Sequence, residues 1–248
     1  TGPQVSPAGR KSGTSGTYTT TSLTDGHVVD VIVTNANGCS ATSASITNTV
    51  HALPAPTLSS SDPDNTFCSG TSITFSAGGG TSYNFRVNGS SVQNGSSSTY
   101  ITSTLTSGQI VDVIVTNTNG CSATSSQITN TVRALPNPTL TSSDADNVFC
   151  EGSTITFTAG GGSSYNFRIN ETSVQNGTST TYVTSALTDG QTVDVIVTNS
   201  FGCTAASPQI INSVDARPDA NAGTGEQGMN AARTTCTELP RRYTPCST

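Results

Sequence analysis

Valines and other residues alternate along residues 111–116: Val111, Val113 and Val115 project to one side of an extended segment, Asp112, Ile114 and Thr116 to the other. A period of two over a β-branched run predicts a strand. The Asn119-Gly120 pair before Cys121 predicts a turn into the next strand. The same phrase occurs three times, from Asp30 to Cys39, from Asp112 to Cys121 and from Asp194 to Cys203, each 82 residues after the last. A period of that length marks a small module used repeatedly rather than one large domain.

Within residues 53–134 the pattern predicts strands over 56–60, 71–77, 82–88, 90–93, 98–103, 110–117 and 121–132. Ile73 and Phe75 alternate with Ser72 and Thr74, and Tyr83, Phe85 and Val87 with Asn84 and Arg86, so each strand has one apolar and one wet face. Seven short strands in about 80 residues make an all-β, two-sheet sandwich. Pro54 and Pro56 suit a linker or sheet edge, because they donate nothing to a ladder. The triplet Gly78, Gly79, Gly80 and the pair Asn94-Gly95 supply turns.

Residues 135–217 repeat the module, keeping the glycine triplet and changing FRVN to FRIN. Residues 12–52 align with its second half only: Tyr18 with Tyr100, Leu23 with Leu105, Ile46 with Ile128. The organisation expected is therefore an N-terminal segment plus a half repeat over 1–52, complete repeats over 53–134 and 135–217, and a linker, tail or further module over 218–248. Residues 1–11 match nothing in the repeats, and Met229, Arg233, Cys236, Arg241, Arg242 and Cys246 crowd the last stretch. A half sandwich exposes the apolar side of its strands. Either the parent chain continues upstream or a strand of another molecule fills the gap.

Composition narrows the function classes. The 248 residues are 32% hydrophobic and 10% charged, with 24 Gly and no Trp. Short β-branched runs separated by Ser, Thr, Asn and Gly fit polar-faced sandwiches better than the alternative, a disordered chain. A net charge of -6, with Arg86, Arg133 and Arg168 the only basic side chains (Lys and Arg) between residues 12 and 216, excludes a nucleic-acid partner. No apolar run approaches the 18 or so residues of a membrane span. The partners expected are neighbouring repeats, copies of the chain itself, and surface glycans.

Four cysteines recur in register. Cys68 precedes Cys121, and Cys150 precedes Cys203, by 53 residues in each case. Zinc spacing is absent, so a disulfide inside each repeat is expected, Cys68 with Cys121 and Cys150 with Cys203, in an oxidising extracellular setting. The alternative is reduced, buried cysteines. Cys39, Cys236 and Cys246 have no assignable partner.

Asp62, Asp64 and Asn65 return as Asp144, Asp146 and Asn147. Calcium takes several hard oxygens, and this spacing offers part of a shell near a repeat junction. The competing reading is an Asx turn capping local backbone groups. Asp30, Asp112 and Asp194 share one strand position with no second acid beside them, which fits a bond to a neighbouring strand better than catalysis. His27 and His51 become other residue types in the later repeats, and no triad can be assembled. The glycine triplets lack the Lys and helix of a phosphate loop. Asn88, Asn94, Asn170 and Asn176 match the N-glycosylation pattern.

The segments LPAPTL, SDPDNTFCSGTSITFSAGG and VDVIVTNTNGCSAT, with their copies one period later, resemble the immunoglobulin-like repeats of large Bacteroidota surface proteins, including gliding-motility adhesins exported by type IX secretion. The resemblance covers residues 12–217 and implies tandem immunoglobulin-like β-sandwich repeats of about 82 residues with a structural or adhesive task. The function expected is a stalk of a large extracellular protein or fibre. Rival expectations are a self-assembling filament completed by strand donation and a carbohydrate-binding accessory module, the latter disfavoured by the lack of Trp. No enzyme activity is expected.

Overall fold

The computed structural model describes residues 15–217. The expectations for residues 1–11 and 218–248, Cys236 and Cys246 included, concern residues outside this range. The half repeat contributes β1 (Val28–Val29), β2 (Ile32–Thr34), β3 (Ser40–Thr42) and β4 (Ile46–Thr47), paired as β1 with β4 and β2 with β3.

The first complete repeat contains β5 (Thr57–Ser60), β6 (Thr66–Cys68), β7 (Ile73–Gly78), β8 (Ser82–Val87), β9 (Ser90–Gly95), β10 (Thr99–Thr102), β11 (Ile110–Thr116), β12 (Ser122–Thr124), β13 (Ile128–Thr129) and β14 (Thr131–Arg133). The second has the same series one period later: β15 (Thr139–Ser142), β16 (Val148–Cys150), β17 (Ile155–Gly160), β18 (Ser164–Ile169), β19 (Thr172–Gly177), β20 (Thr181–Thr184), β21 (Thr192–Thr198), β22 (Thr204–Ala206), β23 (Ile210–Ile211) and β24 (Ser213–Asp215). One sheet runs β10-β7-β5 and the facing sheet β12-β11-β8-β9, with β13 also on β11; β20-β17-β15 and β22-β21-β18-β19 reproduce them.

The chain is thus all-β, and its complete repeats are immunoglobulin-like sandwiches. Alternation places the core as expected. Phe75, Phe85, Val111, Val113 and Val115 are fully buried in the first repeat, and Phe157, Phe167, Val193, Val195 and Val197 in the second. The sheets of the first repeat meet through Tyr100, whose ring lies 5.8 Å from Phe85 and 6.3 Å from Phe75. Tyr182 meets Phe167 in the same way at 5.8 Å.

Two features depart from the predicted strands. The expected strand over 121–132 is broken into β12, β13 and β14, because Ser125 inserts its hydroxyl into the ladder and accepts the Val113 N–H at 3.1 Å. Ser207 does the same to Val195. The second departure is β6, three residues long and too short for periodicity to reveal. It pairs in parallel with β14, Thr66 opposite Thr131 and Cys68 opposite Arg133, as β16 pairs with β24.

The chain forms two compact units. One holds the described residues up to Asn65 with Ser72–Ser103 and Gly108–Asn130; the other holds Thr66–Thr71, Thr104–Ser107 and the described residues from Thr131 onward. The second unit therefore combines the sandwich of the second repeat with three segments of the first. In the first unit the half repeat leaves apolar side chains in the open: Val31 and Val33 are 53% and 63% exposed, where their counterparts Val113 and Val115 are at 0%.

Candidate functional site: the cysteine junction

Cys68 is bonded to Cys203, with Cα atoms 5.6 Å apart and 135 positions between them in sequence. The expected pairs Cys68 with Cys121 and Cys150 with Cys203 are therefore corrected: Cys121 is a free thiol, and Cys150 is oxidised without Cys203. A period of 82 is satisfied equally by pairing within a repeat and by pairing with the following one. The three-residue ladder of β6 on β14 decides between them.

That ladder sets Cys68 beside Arg133, and the Ser69 N–H donates to the Arg133 carbonyl at 2.8 Å. Arg133 and Ala134 then lead directly to the loop that carries Cys203. Asn199 organises this loop: its Oδ1 accepts the N–H groups of Phe201 and Cys203 at 3.0 and 3.1 Å, and its Nδ2 donates to the Ala134 carbonyl at 2.9 Å. Gly202 takes φ +82°, the left-handed turn that glycine enters without penalty. The Arg133 guanidinium lies 4.4 Å from the centre of the Phe201 ring, a cation–π contact across the same loop. Cys203 is 1% exposed, so the bond closes inside packed structure.

One period earlier the same frame recurs around Cys121. Asn117 Oδ1 accepts the N–H groups of Asn119 and Cys121, both at 3.0 Å, and its Nδ2 donates to the Ala52 carbonyl at 2.9 Å. The Cys121 Sγ lies 3.9 Å from the carbonyl oxygen of His51. His51 and Asn119 stand where Arg133 and Phe201 stand in the later copy.

The acidic turns form local caps. Asp144 and Asp146 both turn an Oδ1 toward the Val148 N–H, at 3.1 and 3.2 Å, and the Asp144 N–H donates to Ser142 Oγ. Asn65 and Asn147 sit at φ 55° and 59°, the left-handed step that starts β6 and β16. Among the described residues no three His, Cys, Asp or Glu side chains converge in a metal-binding group. Sequence reasoning passed over Asn130 and Asn212. Both are fully buried, and each donates from Nδ2 to the carbonyl of Gln109 or Gln191 at 3.0 Å.

Asp112 bonds the neighbouring strand. Its two oxygens accept from Arg86 Nε at 2.7 Å and Nη2 at 2.8 Å, and Arg168 grips Asp194 in the same bidentate way. Hydrogen bonding to the carboxylate raises the pKa of each arginine above its ordinary value. Both carboxylates are held by an arginine of the neighbouring strand. Asp30 is exposed. His27 meets Thr24, with Nε2 2.8 Å from the hydroxyl, and no acid orients it in this contact.

Asn88 and Asn170 cap backbone N–H groups of Ile110 and Thr192 through Oδ1, whereas Asn94 and Asn176 are exposed on β9 and β19. A cleft of 160 Å³ beside Leu187, Asp189 and Val214 falls below the roughly 300 Å³ at which small-molecule sites begin. Among the described residues no helix is long and apolar enough to cross a membrane.

No protein-family model and no curated protein matches the chain. Solved structures do. Fibronectin(III)-like modules of CbhA from Clostridium thermocellum align at 13% identity with a TM-score of 0.38, covering 70% of this chain and all of theirs. A 1.5-MDa bacterial ice-binding adhesin aligns at 18% identity and a TM-score of 0.32, covering 69% of this chain and 68% of its own. The three-domain ectodomain of mouse nectin-like molecule 4 aligns at 16% and 0.28, over 69% and 66%.

Proposed function

We propose that the chain supplies structural, adhesive stalk repeats of a large extracellular surface protein or fibre and catalyses no reaction. The observation carrying this reading is the Cys68–Cys203 bond, which ties a strand of one sequence repeat to a loop of the next. Tension applied outside the segment from 68 to 203 passes through the sulfurs instead of through the ladders of β7 to β21. β5, before Cys68, and β22 to β24, after Cys203, lie outside the loop and meet the load through their own ladders on β7, β21 and β16. Disulfides persist in oxidising surroundings, which supports an extracellular location. The Arg-locked acids and repeated polar faces suit a part that spaces and displays. The LPAPTL and VTNTNGC motifs support a Bacteroidota adhesin exported by type IX secretion.

Pulling single molecules by their ends tests this. The oxidised chain is expected to lengthen without releasing the segment between the two cysteines. Adding reductant frees roughly 450–490 Å of further extension at about 3.3–3.6 Å per residue. Equal extension with and without reductant contradicts the reading.

A second reading is a filament in which the half repeat is completed by another chain, as strand addition permits. The exposure of Val31 and Val33 favours it. Sedimentation at rising concentration is the test: reversible association supports the filament, and a strict monomer removes it.

A further inference from the structure

The junction around Cys203 has a counterpart one period earlier that shares its frame and, among the described residues, lacks one strand and one sulfur. Thr49, Val50 and His51 occupy the sequence positions of Thr131, Val132 and Arg133, the β14 residues that pair in parallel with β6. Ser213, Val214 and Asp215 hold the same place one period later and pair in parallel with β16. Both later copies of this segment thus lie beside a Thr-Phe-Cys or Val-Phe-Cys strand. Thr49–His51 has no strand assignment, and Val50 is 44% exposed where Val132 and Val214 are half-buried.

The rest of the frame is in place. Asn117 holds Cys121 and the Ala52 carbonyl as Asn199 holds Cys203 and the Ala134 carbonyl, with matching distances. The Cys121 sulfur is half-buried, reduced, and 3.9 Å from the carbonyl of His51, the residue equivalent to the ladder partner of Cys68.

We propose that Thr49–His51 and Cys121 form an acceptor site for a Thr-Phe-Cys or Val-Phe-Cys strand of another repeat of this class, which adds in parallel beside Thr49–His51 and forms a disulfide with Cys121. The inference rests on the repeat-array reading above and names the partner of that array. The donor is a further repeat rather than a second copy of these two, because Cys68 and Cys150 are both already oxidised. Main-chain hydrogen bonds align the strand, and its Phe supplies an apolar anchor like Phe67 and Phe149, which are 7% and 8% exposed. In the closing step two thiols become one disulfide. Their two electrons and two protons pass to a small donor disulfide, which leaves as two thiols.

The test uses the full chain and a peptide of residues 64–71 whose cysteine is activated as a thiopyridyl mixed disulfide. Exchange joins the peptide sulfur to Cys121 and releases thiopyridine. Docking before exchange raises the local concentration, so capture at Cys121 is expected at least about tenfold faster than with a scrambled peptide or with one carrying Pro in place of Phe67. Cys39, an exposed thiol, reports the unassisted rate in the same sample. Cys121→Ser abolishes the fast phase and leaves Cys39 capture unchanged. Equal rates at Cys121 and Cys39, equal rates for ordered and scrambled peptides, or no capture at Cys121 overturns the proposal. None of these results alters the pulling measurement, so the two readings fail separately.

Discussion

Asp112 keeps only 4% of its surface in water, and Arg86 satisfies both of its oxygens. Removing the arginine leaves a buried charge unpaired, which costs far more than an exposed ion pair is worth. Arg86→Met is expected to lower stability by about 3 kcal/mol or more in denaturant unfolding. The double variant Arg86→Met with Asp112→Leu recovers much of that loss. Gly79 is the second residue whose identity is forced. It sits at φ +97°, and a Cβ there would strike the Ala55 carbonyl, with its carbon at 2.8 Å. Gly79→Ala is expected to cost at least about 1 kcal/mol, read as a fall in Tm, and Gly161→Ala the same, since Gly161 meets Asn137 identically.

At the scale of elements, the long strands were legible and the short ones were not. Period-two alternation located β7, β8 and β11, whose Phe75, Phe85 and Val113 are the core. It was blind to β6, because three residues after an Asx turn carry no period and their partner β14 lies 65 positions away in sequence. The cysteine pairing depended on that strand, so local spacing favoured the wrong partner. The acidic turns illustrate a different limit: the spacing of Asp144 and Asp146 admits metal ligands and backbone caps, and the Val148 N–H accounts for one oxygen of each. Titrating metal-free protein with millimolar calcium is expected to leave Tm unchanged; a rise would mark a bound ion. Cys203→Ser is expected to lower stability by up to about 5 kcal/mol, the chain-entropy value for a loop of this size. Cys121→Ser, which breaks no disulfide, is expected to stay within about 0.5 kcal/mol.

For the whole molecule the repeat period carries more weight than any single side chain. It relates Cys203 to Cys121, β14 to Thr49–His51, and the buried Val113 to the exposed Val31. The bond from one repeat to the next adds a covalent link between repeats beyond the backbone, which a bond inside each repeat would not do. Digestion of the unreduced protein followed by mass spectrometry of the linked peptides tests that claim most directly. A fragment joining Cys68 to Cys203, with Cys121 recovered as a free thiol, is the result expected. Fragments joining Cys68 to Cys121 and Cys150 to Cys203 would contradict it.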